Sequence, residues 1–211
     1  MPYFHNDKVN ILFIHIPKTG GSSVEKYFSI KFDIPLQNKS LYNKFDTGRI
    51  LPDGYDNRIN LQHQTYQEIM KYKNYLKVDT NNLQIISIVR SPYDKIISDL
   101  FYEKFINFDT SKEEVYNIFK DKYLKKKNLD NHSLPQYKFL TDENEKLINA
   151  KILRTENLKK DMEKIGYKDF DYNMNVNKQK IDYDNYLNED TIKLINKVYY
   201  KDFEIFGFKK R

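Results

Sequence analysis

Two short, nearly continuous apolar runs organise the first half of the chain. Val9 to Ile16 has strand length and lacks the polar alternation of a half-exposed strand, so it predicts a strand buried on both faces. Pro17 to Ser23 breaks it, and Val24, Tyr27 and Phe28 follow at helical spacing. Leu83 to Val89 is a second run of the same kind, ended by Arg90. Ser91-Pro92 then supplies an N-cap with proline at the first helical position. The helix after it places Tyr93, Ile96, Ile97, Leu100, Phe101 and Phe105 on one apolar face. Capping boxes at Thr65–Glu68 and Ser111–Glu114 mark two more helix starts. Lys151 to Arg154 reads as a short strand, followed by a helix that ends at Gly166. Asn188 opens a last helix running to about Tyr200. Strands alternating with helices predict an α/β sandwich around a mostly parallel sheet.

Between these elements, residues 30 to 60 are rich in Asn, Lys, Asp and Gly without periodicity and read as a surface excursion. Lys125 to Ser133 is a second polar stretch. Neither has the Gly/Ser composition of a flexible linker, and 211 residues suit one domain over 1–211. The chain has no Cys, which excludes a disulfide scaffold, a thiolate metal site and a cysteine nucleophile; four scattered His residues give no metal-ligand spacing, so no metal is expected. Mean hydropathy is −0.80. The 18 Tyr and 14 Phe nevertheless place the chain among folded proteins, and read mostly as core. The longest apolar stretch near the N-terminus is interrupted by His15 and is too short to span a bilayer, and no leader pattern is visible; a cytoplasmic protein is expected. A net charge of +6 favours anionic partners without choosing among nucleotide, acidic glycan, nucleic acid and lipid surface.

The most informative segment is His15-Ile16-Pro17-Lys18-Thr19-Gly20-Gly21-Ser22-Ser23. A buried strand runs into a tight turn with Lys18 and two glycines, then into a helix. That arrangement aims backbone N–H groups and a helix N-terminus at one point, where an anion binds. It is not a Walker A loop, because Lys18 precedes both glycines. A plain strand–turn–helix junction would also explain the glycines alone. Arg90 at a strand end, with Ser91 and Ser98 seven residues apart on one helix face, suits a second phosphate.

Together, HIPKTGGSS and IVRSPYDKIISDLFY resemble the 5′-phosphosulfate and 3′-phosphate motifs of sulfotransferases that use 3′-phosphoadenosine 5′-phosphosulfate (PAPS), in particular the carbohydrate type and its soluble relatives. His132-Ser133-Leu134-Pro135-Gln136, Glu156-Asn157-Leu158 and the segment Tyr199 to Phe208 are similar to later family segments in the same order. The resemblance implies a P-loop-like three-layer sandwich and metal-independent sulfuryl transfer to a hydroxyl, on a sugar or glycoconjugate, releasing adenosine 3′,5′-bisphosphate (PAP). It assigns Lys18, Thr19, Gly20, Gly21, Ser22 and Ser23 to the 5′ end of the donor, Arg90 and Ser98 to its 3′-phosphate, and Asn177 and Lys178 to a loop over the nucleotide. His63, in Leu61-Gln62-His63-Gln64, is the general base that the resemblance implies, with Gln62 where the family commonly has Gly; a helix-capping surface His is the other reading. His132 and Gln136 are candidates for acceptor contact, His132 equally for a structural role. His15 reads as packing, His5 as part of a frayed terminus, and Glu156 as a helix-start acid or a second carboxylate near the site. No luminal glycosaminoglycan role is implied, and residues 30–60, expected near the acceptor, match no family segment. A P-loop kinase and a basic nucleic-acid-binding protein remain the competing readings, although the dispersed Lys residues do not favour nucleic acid.

Overall fold

The computed structural model describes residues 2–36, 60–126, 129–171 and 181–211. Four strands, β1 (Tyr3–Asn6), β2 (Val9–Ile14), β3 (Gln84–Val89) and β4 (Lys151–Arg154), lie side by side in that order. β1 is antiparallel to β2, with Tyr3 opposite Leu12. β2, β3 and β4 run parallel, Ile11 pairing with Gln84 and Ile86 with Lys151. The sheet is therefore mostly parallel, as the apolar runs predict: the last four residues of both β2 and β3 are buried. β1 is new relative to the sequence reading. His5 is not frayed; it pairs with Asn10 in the ladder, and its ring stacks on Tyr3 at 5.4 Å.

Among the described residues, nine helices accompany the sheet: α1 (Gly21–Phe32), α2 (Tyr66–Lys71), α3 (Lys73–Leu76), α4 (Pro92–Tyr102), α5 (Lys112–Ile118), α6 (Gln136–Phe139), α7 (Leu158–Lys164), α8 (Glu189–Val198) and α9 (Tyr200–Phe206). The two-residue period of a strand splits β2 between two cores. Ile11 and Phe13 pack with Val24, Tyr27 and Phe28 of α1 and Met162 of α7. Leu12 and Ile14 pack on the other face with Ile69, Leu76, Phe139 and Phe206. A third cluster joins Tyr93, Ile96, Ile97 and Leu100 of α4 to Val115, Ile195, Tyr199 and Phe203. This is the helix–sheet–helix arrangement of a P-loop-like α/β sandwich.

Both capping boxes form, with Thr65 accepting from Glu68 N–H and Ser111 from Glu114 N–H. Asn188 caps α8 as expected, but that helix breaks at Tyr199 and resumes as α9 until Gly207 at φ 64°. Residues 30 to 32 still belong to α1, so the excursion begins later than its composition suggests. The rest of that expectation, from 37 to 59, lies outside the described residues, as do Asn177 and Lys178. Among the described residues, no helix is long and apolar enough to cross a membrane.

Candidate functional site

In the turn between β2 and α1, the carbonyls of Ile16, Lys18, Thr19 and Gly20 all accept hydrogen bonds, which fixes the direction of its N–H groups. Lys18 and Gly20 both adopt positive φ, 65° and 89°. The Thr19 hydroxyl donates to Ile16 O at 2.8 Å, closing the turn. Arg90 Nη1 donates to Lys18 O at 3.1 Å, and Thr155 Oγ1 to Thr19 O at 2.7 Å and Val89 O at 3.2 Å. In a trans peptide the N–H opposes the preceding C=O. Anchoring those carbonyls to β3 and β4 therefore turns the N–H groups of Thr19 and Gly20 the other way. The opening turn of α1 adds N–H groups of Gly21 and Ser22 that have no acceptor within the helix. The result is an anion-binding concavity with Lys18 beside it. The Lys18 ammonium lies 3.9 Å from the Tyr102 ring centroid. Burial holds its pKa below the ordinary lysine range, partly opposed by the negative charge of Asp99.

Arg90 leaves the end of β3 with its backbone clamped by Gln136. Arg90 N–H donates to Gln136 Oε1 at 2.9 Å, and Gln136 Nε2 donates to Arg90 O at 2.8 Å. Gln136 is 0% exposed, so it does not line an acceptor groove as the sequence suggested; its amide is consumed in placing Arg90. Asp202 of α9 in turn accepts the N–H groups of Gln136 and Tyr137, each at 2.9 Å, and burial pushes its pKa up to about 6. The Arg90 guanidinium thus touches the Lys18 loop on one side and lies 5.0 Å from the Tyr183 ring on another. Ser91 and Ser98 are both half-buried on α4 or its cap. No side-chain hydrogen bond caps α4 from Ser91.

Beside the loop, three histidines form a row, each held by its own carboxylate. His63 ends the short turn Leu61–His63, and its Nδ1–H donates to Asp130 Oδ2 at 2.7 Å. Asp130 Oδ1 accepts the Asn60 N–H at 2.6 Å, and the Asn131 side chain donates to His63 O at 2.9 Å. Asp130 and Asn131 both have positive φ, 48° and 62°, and both side chains reach this segment. His132 gives its Nδ1–H to Asp99 Oδ1 at 2.6 Å, and Tyr123 donates to the other oxygen of Asp99 at 2.5 Å. The carbonyl of His132 accepts from the buried Lys95 ammonium at 2.6 Å. His15 pairs through Nδ1 with the fully buried Glu25, which also accepts two hydrogen bonds from Gln62 at 2.9 and 3.1 Å. Burial alone would raise the Glu25 pKa, yet His15 and Gln62 together hold it below the usual carboxylate range.

The rings meet edge to face, His15 to His63 at 5.2 Å and His63 to His132 at 5.1 Å. His132 stacks on Tyr102 at 5.5 Å, and Tyr102 carries the Lys18 ammonium. At the other end, the ring of His15 lies against Gly21, where a Cβ would sit 2.7 Å from its Cδ2 and Nε2 atoms. His63 is thereby tied to the anion-binding loop from both sides. Burial lowers its pKa to about 4 against the opposing pull of Asp130, so the ring is neutral near pH 7. With Nδ1–H committed to Asp130, its lone pair is on Nε2. That is the form a general base requires.

The structure thus brings Lys18, Thr19, Gly20, Gly21, Ser22, Ser23, Arg90, His63 and His132 into one region. Sequence reasoning missed Glu25, Gln62, Asp99, Asp130, Lys95 and Thr155. The one local signal was a charged residue on an otherwise apolar helix face: Glu25 beside Val24 and Phe28, and Lys95 and Asp99 beside Ile96 and Leu100. Compared with known proteins, residues 1–209 match the family model described as "Sulfotransferase family". Neither the curated proteins nor the solved structures compared with the chain include a match.

Proposed function

Because the chain belongs to the sulfotransferase family, whose members use PAPS as the sulfuryl donor, we propose that it transfers that group to an acceptor hydroxyl on a carbohydrate, with His63 as general base and Lys18 at the leaving phosphate. The observation that carries this reading is the convergence of a neutral, carboxylate-anchored imidazole and an anion-binding loop through direct ring contacts. In the proposed step the acceptor oxygen attacks sulfur in line with the phosphate bridge. An S–O bond forms to the acceptor as the S–O bond to phosphate breaks. The acceptor proton passes to Nε2 of His63, and the electron pair of the broken bond stays on the 5′-phosphate of PAP.

Each residue then has an electrostatic task. The N–H groups of Thr19 to Ser22 and the Lys18 ammonium neutralise charge building on the leaving oxygens, with the Ser23 N–H held by Gly20 O, and charge stabilisation of this kind supplies most of the catalysis in group transfer between oxyanions. An arriving dianion also removes the penalty that burial imposes on the Lys18 ammonium. Arg90 and Ser98 hold the 3′-phosphate; since Arg90 also grips the carbonyl of Lys18, the two ends of the donor are sensed by one side chain. Asp130 fixes the tautomer of His63 and stabilises the imidazolium as it forms. Asn177 and Lys178 would close over the nucleotide. His132 backs the base rather than offering a broad face to the acceptor, since it is buried between His63 and Tyr102. Positive charge comes from the protein, so no metal is assigned to the chemistry.

The test is calorimetric binding of PAP in EDTA, beside ATP with magnesium. PAP should bind without metal, and Lys18→Ala and Arg90→Ala should each abolish or greatly weaken it. His63→Ala should retain PAP affinity while turnover of PAPS against a panel of sugars falls about 10²–10⁴-fold. Preference for ATP with magnesium would overturn the donor assignment, and turnover within a few-fold of wild type in His63→Ala would overturn the base.

A further inference from the structure

His63, Asp130 and His132 have a chemical capacity that sulfuryl transfer does not use. Each offers one metal-ligating atom, and these atoms lie within 4.8 Å of one another. Two imidazole nitrogens and a carboxylate oxygen form a donor set suited to borderline divalent ions such as Zn²⁺. The groups behind them are also those of a metal site. Asp99 holds Nδ1 of His132, leaving Nε2 for a ligand, which is the carboxylate–histidine–metal order that fixes a ring's direction. Asp130 is steadied through its other oxygen by the Asn60 N–H. The side chains of His63, Asp130 and His132 are 12%, 21% and 6% exposed, so the cluster is sheltered from bulk water without being sealed.

We propose that His63, Asp130 and His132 form an inhibitory site for a borderline divalent cation, Zn²⁺ being the preferred ion, in which the cation takes the place of the proton between His63 Nδ1 and Asp130. An ion on Nδ1 sends the ring's single proton to Nε2. No proton is lost, but the nitrogen that would take the acceptor's proton becomes a donor, and the base is switched off. The carboxylate of Asp130 offsets one of the two positive charges. The binding half of this proposal stands on the geometry alone; the inhibitory half rests on His63 being the base.

The two halves separate experimentally. ZnCl₂ is titrated calorimetrically into the full chain without donor or acceptor, and Co²⁺ is followed by its visible absorption as a report on nitrogen ligation. One ion per chain is expected, with affinity reduced at least tenfold in both His132→Gln and Asp130→Asn and unchanged in His5→Gln. Two variants are used so that the result survives if one fails to fold, which thermal melting shows. Zn²⁺ should suppress turnover and leave PAP affinity unchanged, with EDTA restoring activity. Absence of one-to-one binding, or binding that both variants retain, overturns the site. Zn²⁺ bound through the triad with turnover intact would keep the site and overturn His63 as the base.

Discussion

Gly21→Ala is the smallest change that tests whether the anion-binding loop and the proposed base are one mechanical unit. The added Cβ would lie 2.7 Å from Cδ2 and Nε2 of His15 and 3.0 Å from its Cε1. Carbon–carbon contact is comfortable from about 3.5 Å, so something must give by about 0.8 Å. The ring has little room to retreat: Nδ1 is bonded to the buried Glu25, and His63 and Phe13 lie at 5.2 and 6.0 Å. Overpacking of this kind costs about 1–3 kcal/mol. In a chain of this size that corresponds to a fall in melting temperature of about 2–12 °C. Pressure on His15 passes to His63 across their edge-to-face contact, and a misplacement of about 1 Å at a reacting group costs about 10² in rate.

The assay is a double-mutant cycle of Gly21→Ala with His15→Ala, read by urea unfolding and by turnover. His15→Ala alone destabilises, because it leaves Glu25 with Gln62 as its remaining side-chain partner among the described residues. Removing the ring also removes the clash, so the double variant should be less damaged than the sum by about 1–3 kcal/mol. Additive costs, or a Gly21→Ala protein that melts and turns over like wild type, would refute the coupling.

Other expected outcomes follow from the same geometry. The proposed base works only while neutral, and burial lowers the His63 pKa to about 4, so kcat/KM should stay level from pH 7 to about 5 and fall on an acid limb near 4; a limb near the ordinary histidine value of about 6.5 would show that the ring is not desolvated in this way. Asp130→Asn should lower kcat by about 10²–10⁴ with PAP affinity kept, since it removes the group that fixes the tautomer, and a change of only a few-fold would count against that role. Thr155→Val strips Thr19 O and Val89 O of a donor and frees the loop, so PAP should bind about tenfold more weakly by calorimetry; unchanged affinity would mean that the loop holds its shape without this anchor.

What could be read from the sequence was whatever is decided locally. Unbroken apolar runs identified β2 and β3, capping chemistry identified the starts of α2 and α5, and the Lys18–Gly21 turn announced an anion site. β1 escaped because four residues with two exposed side chains give no period to detect, although pairing with β2 settles them. α9 escaped because the sequence pattern ends the last helix near Tyr200, whereas the chain turns at Tyr199 and resumes a helix to Phe206. The resemblance makes Gln136 a candidate for acceptor contact; only the fold shows that its amide is spent on the peptide of Arg90, 46 residues away.

The carboxylates behind the histidines are the deeper case. In sequence, Glu25, Asp99 and Asp130 are three of 30 acidic residues; Glu25 and Asp99 stand out only as charges on otherwise apolar helix faces, and nothing nearby sets Asp130 apart from a solvated surface. In the fold they come from α1, α4 and the segment before α6, and each meets Nδ1 of a different ring. Burying a carboxylate is costly unless it is paired, so each relies on its histidine beside a second donor, Gln62 for Glu25, Tyr123 for Asp99 and Asn60 for Asp130, and each histidine is directed by its carboxylate. The positive groups Lys18 and Arg90 are joined through Lys18 O, and each carboxylate holds the Nδ1 side of its ring, with the charge of Asp99 also reaching Lys18. That division of charge cannot be inferred from composition, because a net excess of +6 records how many charges there are and not which side of a ring they occupy.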